Sequence, residues 1–130
     1  LTMETLGGLW MHNTDRQKAE QFHREAYTIR QKVHDDGYPI RDADYYLARS
    51  HYYLGWIAAD AGQVETAINE GARAVDLLTK LHEEFPDNMV YLDTLADRWL
   101  TLSEYYSDVG RAKDAWQAKL NAAFSYCELV

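Results

Sequence analysis

The chain repeats itself at a fixed interval. Residues 54–67 read LGWIAADAGQVETA; 48 residues earlier stands LGGLWMHNTDRQKA (6–19), and 48 residues later LSEYYSDVGRAKDA (102–115). The register runs without a gap. Leu6, Leu54 and Leu102 align, as do Ala19, Ala67 and Ala115, and Ala26, Ala74 and Ala122. Pairwise matches add Gly7 with Gly55, Gly62 with Gly110, His34 with His82, and Leu47-Ala48 with Leu95-Ala96. A period of this size marks an array of like units that cannot each bury an apolar face alone, so it constrains the architecture before any single residue is weighed.

Punctuation inside each unit is helical. The two prolines, Pro39 and Pro86, fall in the inter-repeat stretches DDGYPIRDAD and EEFPDNMVYL, where Asp42, Asp87 and Asn88 are suited to cap the following helix. Gly62 and Gly110 are expected to end helices in the left-handed region, which glycine enters without steric cost. Each repeat thus reads as two helices and two turns. The spacing predicts a partial helix to about residue 12, then helices at about 15–35, 43–61, 64–84, 88–109 and 112–129. Tyr46, Leu47, Ser50, Tyr53, Leu54, Ile57, Ala58 and Ala61 fall at three- and four-residue steps, as do Val64, Ala67, Ile68, Ala72, Val75, Leu78 and Leu81. No strand-like alternation occurs. The expected fold is all-α, an α-solenoid of stacked antiparallel hairpins. It forms one domain over residues 1–130, with repeats at about 1–40, 41–88 and 89–130.

Composition narrows the function classes. Thirteen Lys and Arg against 21 Asp and Glu give a net charge of −8. This disfavours phosphate-tracking nucleic-acid binding and docking on an anionic membrane. The single cysteine, Cys127, cannot form an internal disulfide, and neither a bilayer-spanning run nor a signal-peptide pattern occurs, so a cytoplasmic setting is expected. The first residue, Leu1, already lies inside a repeat, which suggests a piece of a longer polypeptide.

At this point the residues resemble the tetratricopeptide repeat family. Its pattern places Trp, Leu-Gly and Tyr on the first helix, and Ala, an aromatic and Ala on the second. The last repeat supplies Trp99, Leu102-Ser103, Tyr106, Ala115 and Ala122. The middle repeat supplies Leu54-Gly55, Ala67 and Ala74, with His51 at the Trp place and Ala58 at the Tyr place; the first supplies Leu6-Gly7, Trp10, Ala19 and Ala26. The common repeat is about 34 residues long, so 48 leaves about 14 to lengthen the helices and turns. In this respect the chain is similar to long-helix variants of the kinesin-light-chain type and to arrays attached to bacterial kinases and signalling proteins.

The resemblance implies a concave groove lined by the first helix of each repeat. Carried over residue by residue, it assigns Arg49, Tyr52, Trp56 and Ala59, with Asp60 beside them, to the groove. The last repeat adds Asp97, Leu100, Glu104 and Ser107, with Asp108 adjacent, and the first adds Glu4, Gly8 and Met11. Tyr52 and Trp56 stand where the family's clamp for a terminal carboxylate needs Lys and Asn, so that ligand is not expected. Large amphipathic aromatics serve well as interface anchors. Gly55 is expected at a close helix approach, whereas Gly71, at the family's aromatic place, is expected to accept Ala.

The histidines invite a metal reading, since HDD at 34–36 and HEE at 82–84 recur at the repeat period. Consecutive residues do not converge on one helix face, however, and a His near a helix C-terminus is favoured by the dipole. No catalytic triad order, phosphate-cradling glycine loop or nucleophile turn occurs, so no enzyme activity, cofactor or metal is expected. The implied function is a protein-interaction scaffold holding a peptide or partner helix that carries basic and apolar residues. The alternative is a structural spacer or oligomerisation segment of a larger signalling or kinase-linked protein. Apolar residues at the ends (Leu1, Met3, Leu6, Leu9 and Trp10; Ala122, Phe124, Tyr126, Leu129 and Val130) favour a homodimer through terminal helices.

Overall fold

A computed structural model describes residues 16–37 and 42–128 of the chain. Five helices and no strand occur among them: α1 Arg16–Asp35, α2 Ala43–Asp60, α3 Val64–Glu84, α4 Met89–Asp108 and α5 Ala112–Glu128. The boundaries lie within one residue of the sequence expectation wherever both ends are described. Helices α1, α3 and α5 begin at 16, 64 and 112, so the 48-residue period of the sequence is also the period of the structure. The helix expected before residue 12, together with Glu4, Gly8, Met11, Pro39, Leu129 and Val130, lies outside the described residues.

Local chemistry accounts for the helix ends. Gly62 and Gly110 have φ of 81° and 74°. The Gly62 amide donates to the Ala59 carbonyl, and the Gln63 amide reaches back to Ala58; Gly110 to Ser107 and Arg111 to Tyr106 repeat the pattern. These paired bonds satisfy carbonyls that a helix end leaves open. Asn88 caps α4 by accepting from the amides of Val90 at 3.0 Å and Tyr91 at 3.4 Å. Asp42 stands at the N-cap of α2 but makes no side-chain cap; its carboxylate accepts the Tyr91 hydroxyl at 3.2 Å, tying the starts of α2 and α4 together. Asp87 is not a cap.

Consecutive helices pack on one another, and α2 also approaches α4. The Cα atoms of α1 and α3, and of α3 and α5, do not come within 8 Å of each other. The core runs through α2, α3 and α4. Leu54, Ile68, Leu78 and Leu102 are all at most 4 % exposed, as are the repeat-equivalent Ala26, Ala74 and Ala122. Small residues sit where backbones approach: a Cβ on Gly55 would stand 3.3 Å from both the Ala67 carbonyl and the Glu70 Cβ. At Gly71, where Ala is expected to be accepted, a Cβ would meet Leu102 Cδ1 at 3.1 Å, so the end of that side chain has to give slightly.

Candidate functional site

The face shared by α2 and α4 follows from two four-residue ladders. Tyr45, Arg49 and Tyr53 recur on one side of α2, and Thr94 and Arg98 on the facing side of α4, because residues four apart stack along a helix. Together with Ala48 and Leu78 they line a cavity of about 310 Å³. Its described lining carries two arginines and no carboxylate. Arg49 has no ion-pair partner among the described residues; its guanidinium lies 5.7 Å from the centre of the Tyr53 ring. Arg98 is more committed. It covers the Tyr52 ring at 3.6 Å and donates to Asp97 at 2.5 Å.

The groove residues expected from sequence divide accordingly. Tyr52 is half-buried beneath Arg98, so its ring is covered rather than offered to solvent. Burial raises its hydroxyl pKa, with Asp97, Tyr53 and Glu104 acting in the same direction against Arg98. Those opposing influences place Tyr52, Asp97 and Glu104 in one neighbourhood. The buried Tyr105 hydroxyl, which has no hydrogen-bond partner among the described residues, has its pKa pushed up by burial, then by Tyr52, Glu104 and Asp108. Trp56 and Leu100 remain exposed at 37 % each. Asp60 and Asp108 are the exposed last residues of α2 and α4. Arg49 thus lies in the first half of α2 and Arg98 midway along α4 beside Asp97, while Asp60, Glu104 and Asp108 lie toward the helix ends.

Sequence reasoning missed Tyr45, Tyr53, Thr94 and Arg98. Their ladders were visible in the sequence, but only the approach of α2 to α4 shows that the two face each other. Arg49 was assigned to the groove and does line the cavity.

The histidine–acid runs find their partners on other helices. His34 hydrogen-bonds to Asp44 of α2, and His82 Nε2 pairs with Glu128 of α5 at 3.1 Å. Among the described residues no group of three or more His, Cys, Asp or Glu side chains could hold a metal ion, and no helix is long and apolar enough to cross a membrane. Two further histidines are buried against tyrosines. His51 Nδ1 hydrogen-bonds to Glu70 at 2.6 Å with Tyr27 edge-on to its ring. His23 is fully buried and stacks on Tyr53 at 4.7 Å, and neither ring nitrogen has a hydrogen-bond partner among the described residues. Burial, then the charge of Arg49, lowers the His23 pKa to about 4.

Neither a scan against protein-family models nor a search of curated proteins returned a match.

Proposed function

We propose that the chain is a protein-interaction scaffold of the tetratricopeptide-like, α-solenoid kind, holding a peptide or partner helix along the α2–α4 face. The observation that carries this reading is the contact pattern. Cα atoms of the first helices of two successive repeats, α2 and α4, come within 8 Å of each other and those of the second helices, α3 and α5, do not, an arrangement that suits α2 and α4 as the inner face of a curved array. Trp56 and Leu100 are apolar anchors on that face, and Asp60, Glu104 and Asp108 favour a basic residue beside the apolar one that docks on them. Complementary charge of this sort mainly sets encounter rate and selectivity, and weakens with salt.

An array of unmodified peptides tests the reading. Hits should pair a basic with an apolar residue and disappear with Trp56→Ala. A set dominated by acidic peptides, or one indifferent to Trp56→Ala, overturns it.

A second reading, stacking or self-association through α5, has its own observation. Trp116 and Phe124 are 64 % and 65 % exposed, with Leu120 between them at four-residue steps. At the repeat place of Trp116, α3 carries Ile68, which is 4 % exposed. Large apolar patches left bare in this way mark association sites. A two-fold dimer should sediment above 15.1 kDa and revert to monomer with Phe124→Glu. A monomer unchanged by the substitution excludes this reading.

A further inference from the structure

The cavity between α2 and α4 has a chemistry that the aromatic and acidic groove residues do not explain. Its lining brings together, from two facing helices, residues that carry hydrogen-bond donors: Arg49, Arg98, Tyr45, Tyr53 and Thr94. No carboxylate is among its described lining residues, although the chain carries a net charge of −8. Arg49 also has no ion-pair partner among the described residues. After burial, it is the leading cause holding the His23 and Arg30 pKa values below their ordinary ranges.

The volume, about 310 Å³, is at the small end of ligand pockets, suited to a compact group. We propose that this cavity is an oxyanion site of the phosphate type. A planar carboxylate is satisfied by one arginine fork, whereas donors arriving from two facing helices suit the several oxygens of a phosphate. The stack on Tyr52 and the bond to the Asp97 carboxylate fix the Arg98 guanidinium in place before the ligand arrives, which lowers the ordering cost of binding while leaving Arg49 as the unpaired charge. The phosphate is either free or borne on a side chain of the partner held on the same face. In the second case the inference deepens the scaffold reading; in the first it stands without it.

Titration of the intact protein at constant ionic strength, following the arginine Nε–H resonances, tests the site with three probes: inorganic phosphate, N-acetyl-phosphoserine methylamide and acetate. Saturable shifts at Arg49 and Arg98, with the other arginines still, are expected from the phosphates. Tighter binding of the phosphoserine derivative identifies a partner-borne group, and tighter binding of inorganic phosphate a free one. Arg49→Gln should weaken binding by at least tenfold, and Thr94→Val, which keeps every charge, by a smaller factor. Absence of saturable shifts, equal affinity for acetate, or unchanged binding in both variants overturns the proposal. No peptide enters the inorganic phosphate arm, so its failure leaves the scaffold reading to its own test.

Discussion

Two junctions occupy the same place in the repeat: α1 meets α2 where, 48 residues on, α3 meets α4. They are built from different chemistry. At the first, Arg30 donates to the Tyr46 carbonyl at 3.0 Å and to Ser50 Oγ at 2.7 Å, His34 pairs with Asp44, and His23 lies buried on Tyr53. At the second, Leu78 takes the place of Arg30 and is 1 % exposed, and Gly71 takes the place of His23 against Leu102 and Tyr105. The lesson is that the repeat register fixes where helices lie, while the side chains decide what holds them. An apolar junction is strong and indifferent to pH; a polar one is weaker and titrates.

The largest expected difference is in truncation. Leu78→Ala should lower stability by about 2–5 kcal/mol through lost burial and a cavity. Arg30→Ala, which removes two charge-assisted bonds at a partly exposed place, should cost no more than about 1.5–3 kcal/mol. Urea unfolding of both variants measures this, and a costlier Arg30→Ala would break the comparison.

Next comes acid. The His23 pKa is about 4 in the folded chain against an ordinary 6.5. As pH falls through 6.5, the unfolded chain binds a proton that the folded one refuses until about pH 4. Stability from this group is therefore present above pH 6.5 and lost between 6.5 and 4, by up to about 3 kcal/mol. His23→Phe keeps a ring on Tyr53 and removes two unpaired nitrogens, so it should flatten that part of the profile. Parallel pH profiles for the two proteins would place the acid sensitivity elsewhere.

Where chemistry is local, equivalent places should behave alike. Gly62→Val and Gly110→Val each force a β-branched residue to positive φ and should each cost about 1–2 kcal/mol. Thermal unfolding checks both, and a large difference between them would show that the turns are not equivalent.

The smallest effect is expected at Gly71. Ala there gains about 1 kcal/mol in helix propensity. Its Cβ, however, meets Leu102 Cδ1 at 3.1 Å. The net change should stay within about 1 kcal/mol, and the gain should emerge in a Leu102→Ala background, where the opposing atom is gone. A double-mutant cycle without coupling would mean that Leu102 yields freely.

Much of this was legible in the residues, and the division is physical. Gly62 and Gly110 disclosed helix ends because a left-handed cap is a property of one residue and its nearest carbonyls. Leu54, Ala74 and Ala122 disclosed buried faces because helical spacing is a local rule. Tyr52 misled: its type suggested an open platform, and only the approach of α4 shows Arg98 lying over it. The contact that Ala at Gly71 would make was hidden for the same reason, since the space around a glycine depends on a helix about 30 residues away.

By itself the sequence determined the helices, their ends and their 48-residue period, because capping, backbone freedom and apolar spacing act within about one or two helical turns. Only the tertiary structure decided which faces meet. It joined Asp42 to Tyr91 instead of to its own helix, gave His51 the carboxylate of Glu70, covered Ile68 with a neighbouring helix and left Trp116 bare. It also brought Arg49 and Arg98 to one cavity. Such pairings depend on how helices rotate and cross, which is set by the sum of many small packing contacts and not by any local pattern.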